Sequence, residues 1–280
     1  MNTPLKICTT VSVMVLGLLS ASPASATLFS YEPFAYSIGS PLDTQNGGSG
    51  FSSAWTASNS TIVSGSLSSG SLPTSGDALS ITAKVDAGAS GLGANTYRPF
   101  TSTLGGAGQD VWVSFLIKTT NSSSYGGLVV GSGSASTGAV NGSKGIFIGY
   151  SGGVYAIGPN GASSGISGGT ATNGTTQFLV ADFSYTTATT GIVSLYLSAT
   201  PGGSLGTAVG STSFTLNSFN QIGFATTGSV TFDEIRIGDS FAAVSSAIPE
   251  PAQTSALFGL ATAGIIFVYR IRRTKRNESA

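Results

Sequence analysis

Histidine is absent from the 280 residues, and cysteine occurs once, at Cys8. A lone cysteine forms no intrachain disulfide, and without histidine there is no Cys/His zinc site, no His-ligated haem and no Ser-His or Cys-His nucleophile pair. Carboxylate chemistry and oxygen-ligated hard cations such as calcium remain. Charge is scarce as well, at 8% of residues with a formal net charge of zero. Between Thr27 and Val244 five basic and nine acidic side chains leave −4. That stretch has no basic face to neutralise phosphates, so nucleic acid is not an expected partner. The same stretch contains only two glutamates, Glu32 and Glu234, and no E-x-D-x-x-E strand. Glycoside hydrolysis needs two carboxyl groups about 5 to 9.5 Å apart. Asp233 and Glu234, adjacent in an expected strand, are predicted to point to opposite faces. No enzymatic activity is expected, and a secreted carbohydrate-active enzyme is the alternative.

Helical periodicity is missing before Ile248, whereas period-two alternation recurs. VWVSFLIKT places Val111, Val113, Phe115 and Ile117 on one face, and GIVSLYLSAT sets Val193, Leu195 and Leu197 against Ser194, Tyr196 and Ser198. QFLVADFSYT, QIGFAT, GLVVGSG, GIFIGY and GGVYAIG read similarly, separated by Gly, Asn and Ser clusters suited to turns. With 40 glycines the chain resembles a disordered one, but a hydrophobic fraction of 40% supplies enough apolar surface to offset chain entropy. The prediction is all-β: one antiparallel β-sandwich or jelly roll over residues 27–244. NSSSYGG, GSGSASTGAVNGSKG and GPNGASSGISGGTATNGTT are read as its loops, because the strand pairs between them are too short to fold alone.

Two apolar runs lie outside that domain. Lys6, the stretch Val11 to Leu19 and small residues Ala24 and Ala26 at −3 and −1 predict a signal peptide over residues 1–26, cut after Ala26. Residues 245–280 hold a second run from about Thr254 to Tyr269, followed by Arg270, Arg272, Arg273, Lys275 and Arg276. About 16 helical residues reach roughly 24 Å across a hydrocarbon core of about 30 Å, which makes the predicted transmembrane helix a short one. The basic cluster sets its orientation: body exported, residues 270–280 cytoplasmic. Pro249 and Pro251 hold the preceding backbone extended, which keeps Glu250 out of the helix behind it.

Ile-Pro-Glu-Pro at 248 to 251, an apolar helix and an Arg-rich end together resemble the PEP-CTERM sorting signal of Gram-negative bacteria. The resemblance implies an exosortase-type sorting enzyme as partner, processing at Pro249, Glu250 and Pro251, and temporary anchoring in the inner membrane before transfer to the envelope or exterior. It also implies a setting of extracellular polysaccharide or biofilm matrix. The stretch Tyr31 to Ser58, through Tyr31, Phe34, Tyr36, Gly39, Leu42, Asn46, Gly47, Gly48, Gly50, Phe51 and Trp55, resembles secreted concanavalin A-like or laminin-G-like sandwiches. VTFDEIRIGDSFAAV, from Val230, is similar to that family's closing strand. This resemblance implies that first and last strands share a sheet, and it makes a lectin-like, polysaccharide-binding role the expectation.

Glu234 and Arg236 are expected to pair on one face, with Ile235 and Ile237 in the core and Asp233 capping a loop. Calcium is the competing use of Asp233, with Asp43 and Asn46 as further oxygen ligands. No other cofactor is expected. Trp55, Trp112 and Tyr97 are either sugar-stacking platforms or core.

Overall fold

A computed structural model describes residues 26–82, 96–132, 145–159 and 166–246. Ala24, Pro249, Glu250, Pro251, the expected membrane helix and the basic residues from Arg270 to Arg276 lie outside the described residues. Among the described residues no helix is long and apolar enough to cross a membrane.

In chain order the strands are β1 (Leu28–Glu32), β2 (Ser60–Val63), β3 (Ala78–Ile81), β4 (Tyr97–Leu104), β5 (Asp110–Thr119), β6 (Tyr125–Gly131) and β7 (Gly145–Ser151). They continue with β8 (Val154–Pro159), β9 (Ile166–Thr170), β10 (Thr176–Tyr185), β11 (Thr190–Tyr196), β12 (Ala208–Thr215), β13 (Phe219–Thr226) and β14 (Val230–Gly238), and helix α1 (Phe241–Ser245) follows. Two antiparallel sheets result. The larger runs β12-β11-β10-β5-β14-β3-β2 with β1 also on β14, and the smaller runs β4-β13-β6-β7-β8-β9.

The alternation read from the sequence is what packs them together. Val111, Val113, Phe115, Ile117, Leu179, Phe183, Val193 and Leu195 from the larger sheet share one buried core with Leu128, Ile148, Ile222 and Phe224 from the smaller. A strand with one apolar face must cover it, and each sheet covers the other. First and last strands lie in the same sheet: β1 pairs with β14 from Leu28↔Gly238 to Glu32↔Ile235.

Three local features depart from expectation. ISGGT, read as loop, forms edge strand β9 by pairing with β8. A helix forms where none was expected, because the Ser240 side chain accepts the Ala243 amide while Val244 is fully buried. This helix runs through Ser245, so a domain boundary at Val244 would cut it. Third, the β14–β5 register slips between Asp233 and Arg236, with Glu234 at φ 53°. The slip falls where the other edge of β14 passes from β3, along Val230 to Phe232, to β1, along Ile235 to Gly238.

Candidate functional site

Both glutamates of the body are buried in ion pairs. Glu32 ends β1 with no exposed surface, and its Oε2 accepts from Arg98 Nη1 at 2.5 Å, Trp55 Nε1 at 2.9 Å and the Tyr36 hydroxyl at 2.8 Å. Its Oε1 accepts the Phe34 amide at 2.9 Å, holding that residue at φ 51°. Arg98, from β4, donates its remaining nitrogens to the Ser53 carbonyl and Asn46 Oδ1, and lies over the Phe51 ring at 4.2 Å. Tyr36, Asn46, Phe51 and Trp55 from this stretch therefore touch the ion pair, whereas the Tyr31 hydroxyl reaches Ser75 and Glu234 instead. Gly50, at φ 81°, passes so close to the Phe29 carbonyl that a Cβ there would collide with it. Trp55 is core, 2% exposed, and stacks on Phe224 at 5.4 Å.

Glu234 pairs with Arg236 at 2.7 Å, and Ile235 and Ile237 fill the core, as the strand pattern predicted. Asp233 caps a loop by accepting from the Ser66 hydroxyl at 2.5 Å and the Leu67 amide at 2.7 Å. The expectation that Asp233 and Glu234 face opposite ways is corrected. The register slip turns both carboxylates to the loop at 64–77, where Glu234 accepts the Ser75 amide at 2.6 Å. Burial pushes the Asp233 carboxyl up to about 7, against the lowering effect of Ser66 and with a further rise from Glu234.

The three calcium candidates are not brought together. Asp43 Oδ1 accepts the Ala57 amide, Asn46 Oδ1 takes Arg98, and Asp233 serves the loop at Leu67. Among the described residues no group of three or more acidic side chains has metal-binding spacing.

The outer face of the larger sheet carries a different constellation. Strand alternation sends Asp110 and Trp112 of β5 outward, and register places Asp182 of β10 opposite Trp112, with Ser184 opposite Asp110. Ser194 of β11 faces Asp182, and its hydroxyl meets that of Ser211 at 2.7 Å. Trp112 stacks on Tyr196 at 6.1 Å and 26°, and Phe241 of α1 packs against it, tilted by 51°, at 6.1 Å. Both stacked rings are only half-buried. Asp182 has a buried Oδ1 with no hydrogen-bond partner among the described residues. Burial, and then the charge of Asp110, push its carboxyl up to about 7. Tyr97, the third aromatic candidate, is on β4 in the other sheet.

A raised carboxylate favours the fold only while protonated. Asp182 therefore contributes fully below its unfolded value of 3.8, and that contribution is lost as pH rises towards about 7. Asp182→Asn is expected to flatten this decline between pH 4 and 7, measured as the thermal midpoint against pH. An unchanged slope would show that Asp182 is solvated.

Beside this face, a cavity of about 500 Å³ is lined by Phe29, Ser102, Leu104, Gly105, Asp110 and Asp239, among others. Gly105, at φ 88°, lies so close to the Tyr185 ring that a Cβ would overlap it. The buried Tyr185 hydroxyl has no partner among the described residues.

Fold and site define an all-β protein of two antiparallel sheets packed face to face, a β-sandwich, with an acidic and aromatic patch on one outer face. No protein-family model matches the chain, and no curated protein sequence does. Among solved structures, an endo-beta-1,4-glucuronan lyase from the fungus Trichoderma reesei is similar at 15% identity, over 78% of this chain and 98% of that one, with a TM-score of 0.47. A carbohydrate esterase from the Shiga toxin-encoding bacteriophage phi24B is similar at 16% identity, over 77% and 100%, with a TM-score of 0.43. A xylan-binding domain from Paenibacillus barcinonensis follows at 10%, over 80% and 98%, with a TM-score of 0.36. These likenesses decide neither ligand nor activity.

Proposed function

We propose that the chain is an exported surface or matrix protein without catalytic activity, whose sandwich binds a glycan on the outer face of its larger sheet. In this reading the fold is a concanavalin A-like jelly roll. The last 33 residues are a PEP-CTERM tail that crosses the inner membrane from about Thr254 to Tyr269, held by the following arginines and read at Pro249 to Pro251 by an exosortase-type enzyme. The carrying observation is the Trp112–Tyr196 pair, stacked yet half-exposed, beside the Asp182 carboxyl and the Ser184 and Ser194 hydroxyls. Flat aromatic surface next to hydrogen-bonding groups suits the apolar face and hydroxyl edge of a sugar ring. Both body glutamates support the non-catalytic reading, since each is buried in an ion pair.

The test is a glycan array on a fragment of residues 27–247, which keeps α1, with and without calcium. Trp112→Ala is expected to weaken the bound glycan about 30-fold, the weight of an aromatic anchor worth ~2 kcal/mol. Silence on every glycan removes the binding reading. For the tail, mass spectrometry of the native extracellular protein is expected to find a chain ending before Tyr269. Tyr269 and Arg270 still attached would count against exosortase handling.

A carbohydrate-active enzyme is the second reading, favoured by one observation. Asp110 and Asp182 are diagonal neighbours across β5 and β10, and Asp182 is held protonated to about pH 7 by burial and by Asp110. Two carboxyls side by side, one of them held protonated, can serve as acid and base. Turnover of a polysaccharide that disappears in Asp182→Asn would establish it.

A further inference from the structure

The main-chain nitrogen of Thr27 donates to Asp239 Oδ1 at 2.8 Å, and the Asp239 amide returns a bond to the Thr27 carbonyl at 3.0 Å. Thr27 is also the residue that follows the expected cleavage point. We propose that Asp239 is the receptor for the mature N-terminus: removal of the leader converts the Thr27 nitrogen into an α-ammonium that forms an ion pair with Asp239 and fastens β1 to the end of β14. The inference rests on the signal-peptide reading. Hydrolysis of the Ala26–Thr27 peptide bond by a leader peptidase puts the hydroxyl of water on the Ala26 carboxyl and its proton on the Thr27 nitrogen. That amine then takes a second proton from solvent at neutral pH.

The geometry is already in place in the unprocessed chain, where the same nitrogen is a neutral amide with one N–H. After processing it carries three donors and a full charge, so a neutral hydrogen bond becomes a charge-assisted one. Asp239 is set up to receive it. Burial raises its carboxyl, but the Thr27 bonds and the Ser240 hydroxyl at 2.9 Å outweigh that and hold it below the ordinary value, hence ionised. Among the described residues no cationic side chain pairs with it. Helix α1, which follows directly, has no acidic residue in its first turn and no basic one in its last. Asp110, from β5, is the other titratable side chain lining the cavity that Asp239 borders, and it adds negative charge.

Fastening this end matters because β1 is short and carries two of the fold's polar links. Its Tyr31 hydroxyl reaches Glu234 at 3.0 Å, and its Glu32 holds Arg98. Next to Asp239, Leu28 pairs with Gly238, where a Cβ would strike the Thr27 carbonyl. The mature terminus thus sits at the one end of β1 that those side chains do not secure.

The experiment compares full-length chains that begin at Thr27 with chains carrying an uncleaved extension ending in Ala26, each with Asp239 or Asp239→Asn. The α-amine pKa, read from the pH dependence of its acylation rate, is expected to exceed the ordinary range of about 7.7–8.0 by roughly half a unit and to return to it in Asp239→Asn. The thermal midpoint at pH 6 to 7 is expected to be about 1–3 °C higher for the Thr27 chain than for the extended one. An ion pair of raised amine and lowered carboxylate is lost above the folded amine pKa, so the difference should vanish by about pH 10, and at all pH values in Asp239→Asn. An amine pKa identical in both backgrounds overturns the inference. N-terminal sequencing of the exported protein separates the two layers. Thr27 first with no pKa shift defeats the ion pair and leaves the leader standing, whereas any other first residue defeats both.

Discussion

Arg98→Met is expected to lower the thermal midpoint by about 6–20 °C, from the 3–5 kcal/mol that follows when one partner of a buried pair is removed and the 2–4 °C per kcal/mol of a domain this size. Arg98 is 1% exposed and Glu32 not at all, so the abandoned carboxylate gains no water in exchange for the lost 2.5 Å contact. Its other donors, from Trp55, Tyr36 and the Phe34 amide, stay but bring no positive charge. The Asn46 and Ser53 oxygens lose their donor as well. Because the cost is mostly an unpaired charge, the double variant Glu32→Gln with Arg98→Met should be more stable than Arg98→Met alone. Thermal unfolding of the four chains, with Trp55 fluorescence as a local reporter, checks this. Additive losses would mean that the site is hydrated.

The strands were legible because each long one has an apolar face that packs into the core between the sheets. GIVSLYLSAT alternates in sequence and in burial alike, whereas VWVSFLIKT alternates in sequence only, since Ser114 and Leu116 on its other face are buried too, and β1 pairs with β14 so that first and last strands share a sheet. β9 was not legible, since ISGGT has no apolar face and is a strand only through its hydrogen bonds to β8. The Asp233–Glu234 slip was hidden for a related reason: a non-glycine residue at φ 53° has no sequence signal, and it is imposed by what the two carboxylates bind.

At the site, the sequence marks Trp112 as a candidate and does not single out Asp182. Its signal was present as one charge in the middle of QFLVADFSY, at an outward position where it stands next to Trp112. Arg98 likewise stands in the sequence as one more charge. What the sequence hides is tertiary: Tyr97-Arg98-Pro99 looks like any edge strand until β1 and the segment around Trp55 close over it.

Arg236→Met is the second variant expected to have a large effect, again about 3–5 kcal/mol, and it acts on a different part of the molecule. Arg236 ties three elements together: Nη2 reaches Glu234 at 2.7 Å and the Pro73 carbonyl at 2.5 Å, Nη1 the Ser246 carbonyl at 2.7 Å, and the guanidinium lies over Tyr31 at 5.4 Å. Its loss should free the loop at 64–77 and the end of α1 first, which faster amide exchange in both segments would show. Glu234 sharpens the test, because its left-handed backbone stores about 1–3 kcal/mol of strain that glycine would release. Glu234→Gly therefore removes strain and ion pair together, and strands Arg236 as a buried, unpaired cation. If the pair outweighs the strain, Glu234→Gly is destabilised, though by less than Arg236→Met, and adding Arg236→Met to it costs little more. A Glu234→Gly chain more stable than the parent would show that the carboxylate is there for some purpose other than holding β14 to its loop.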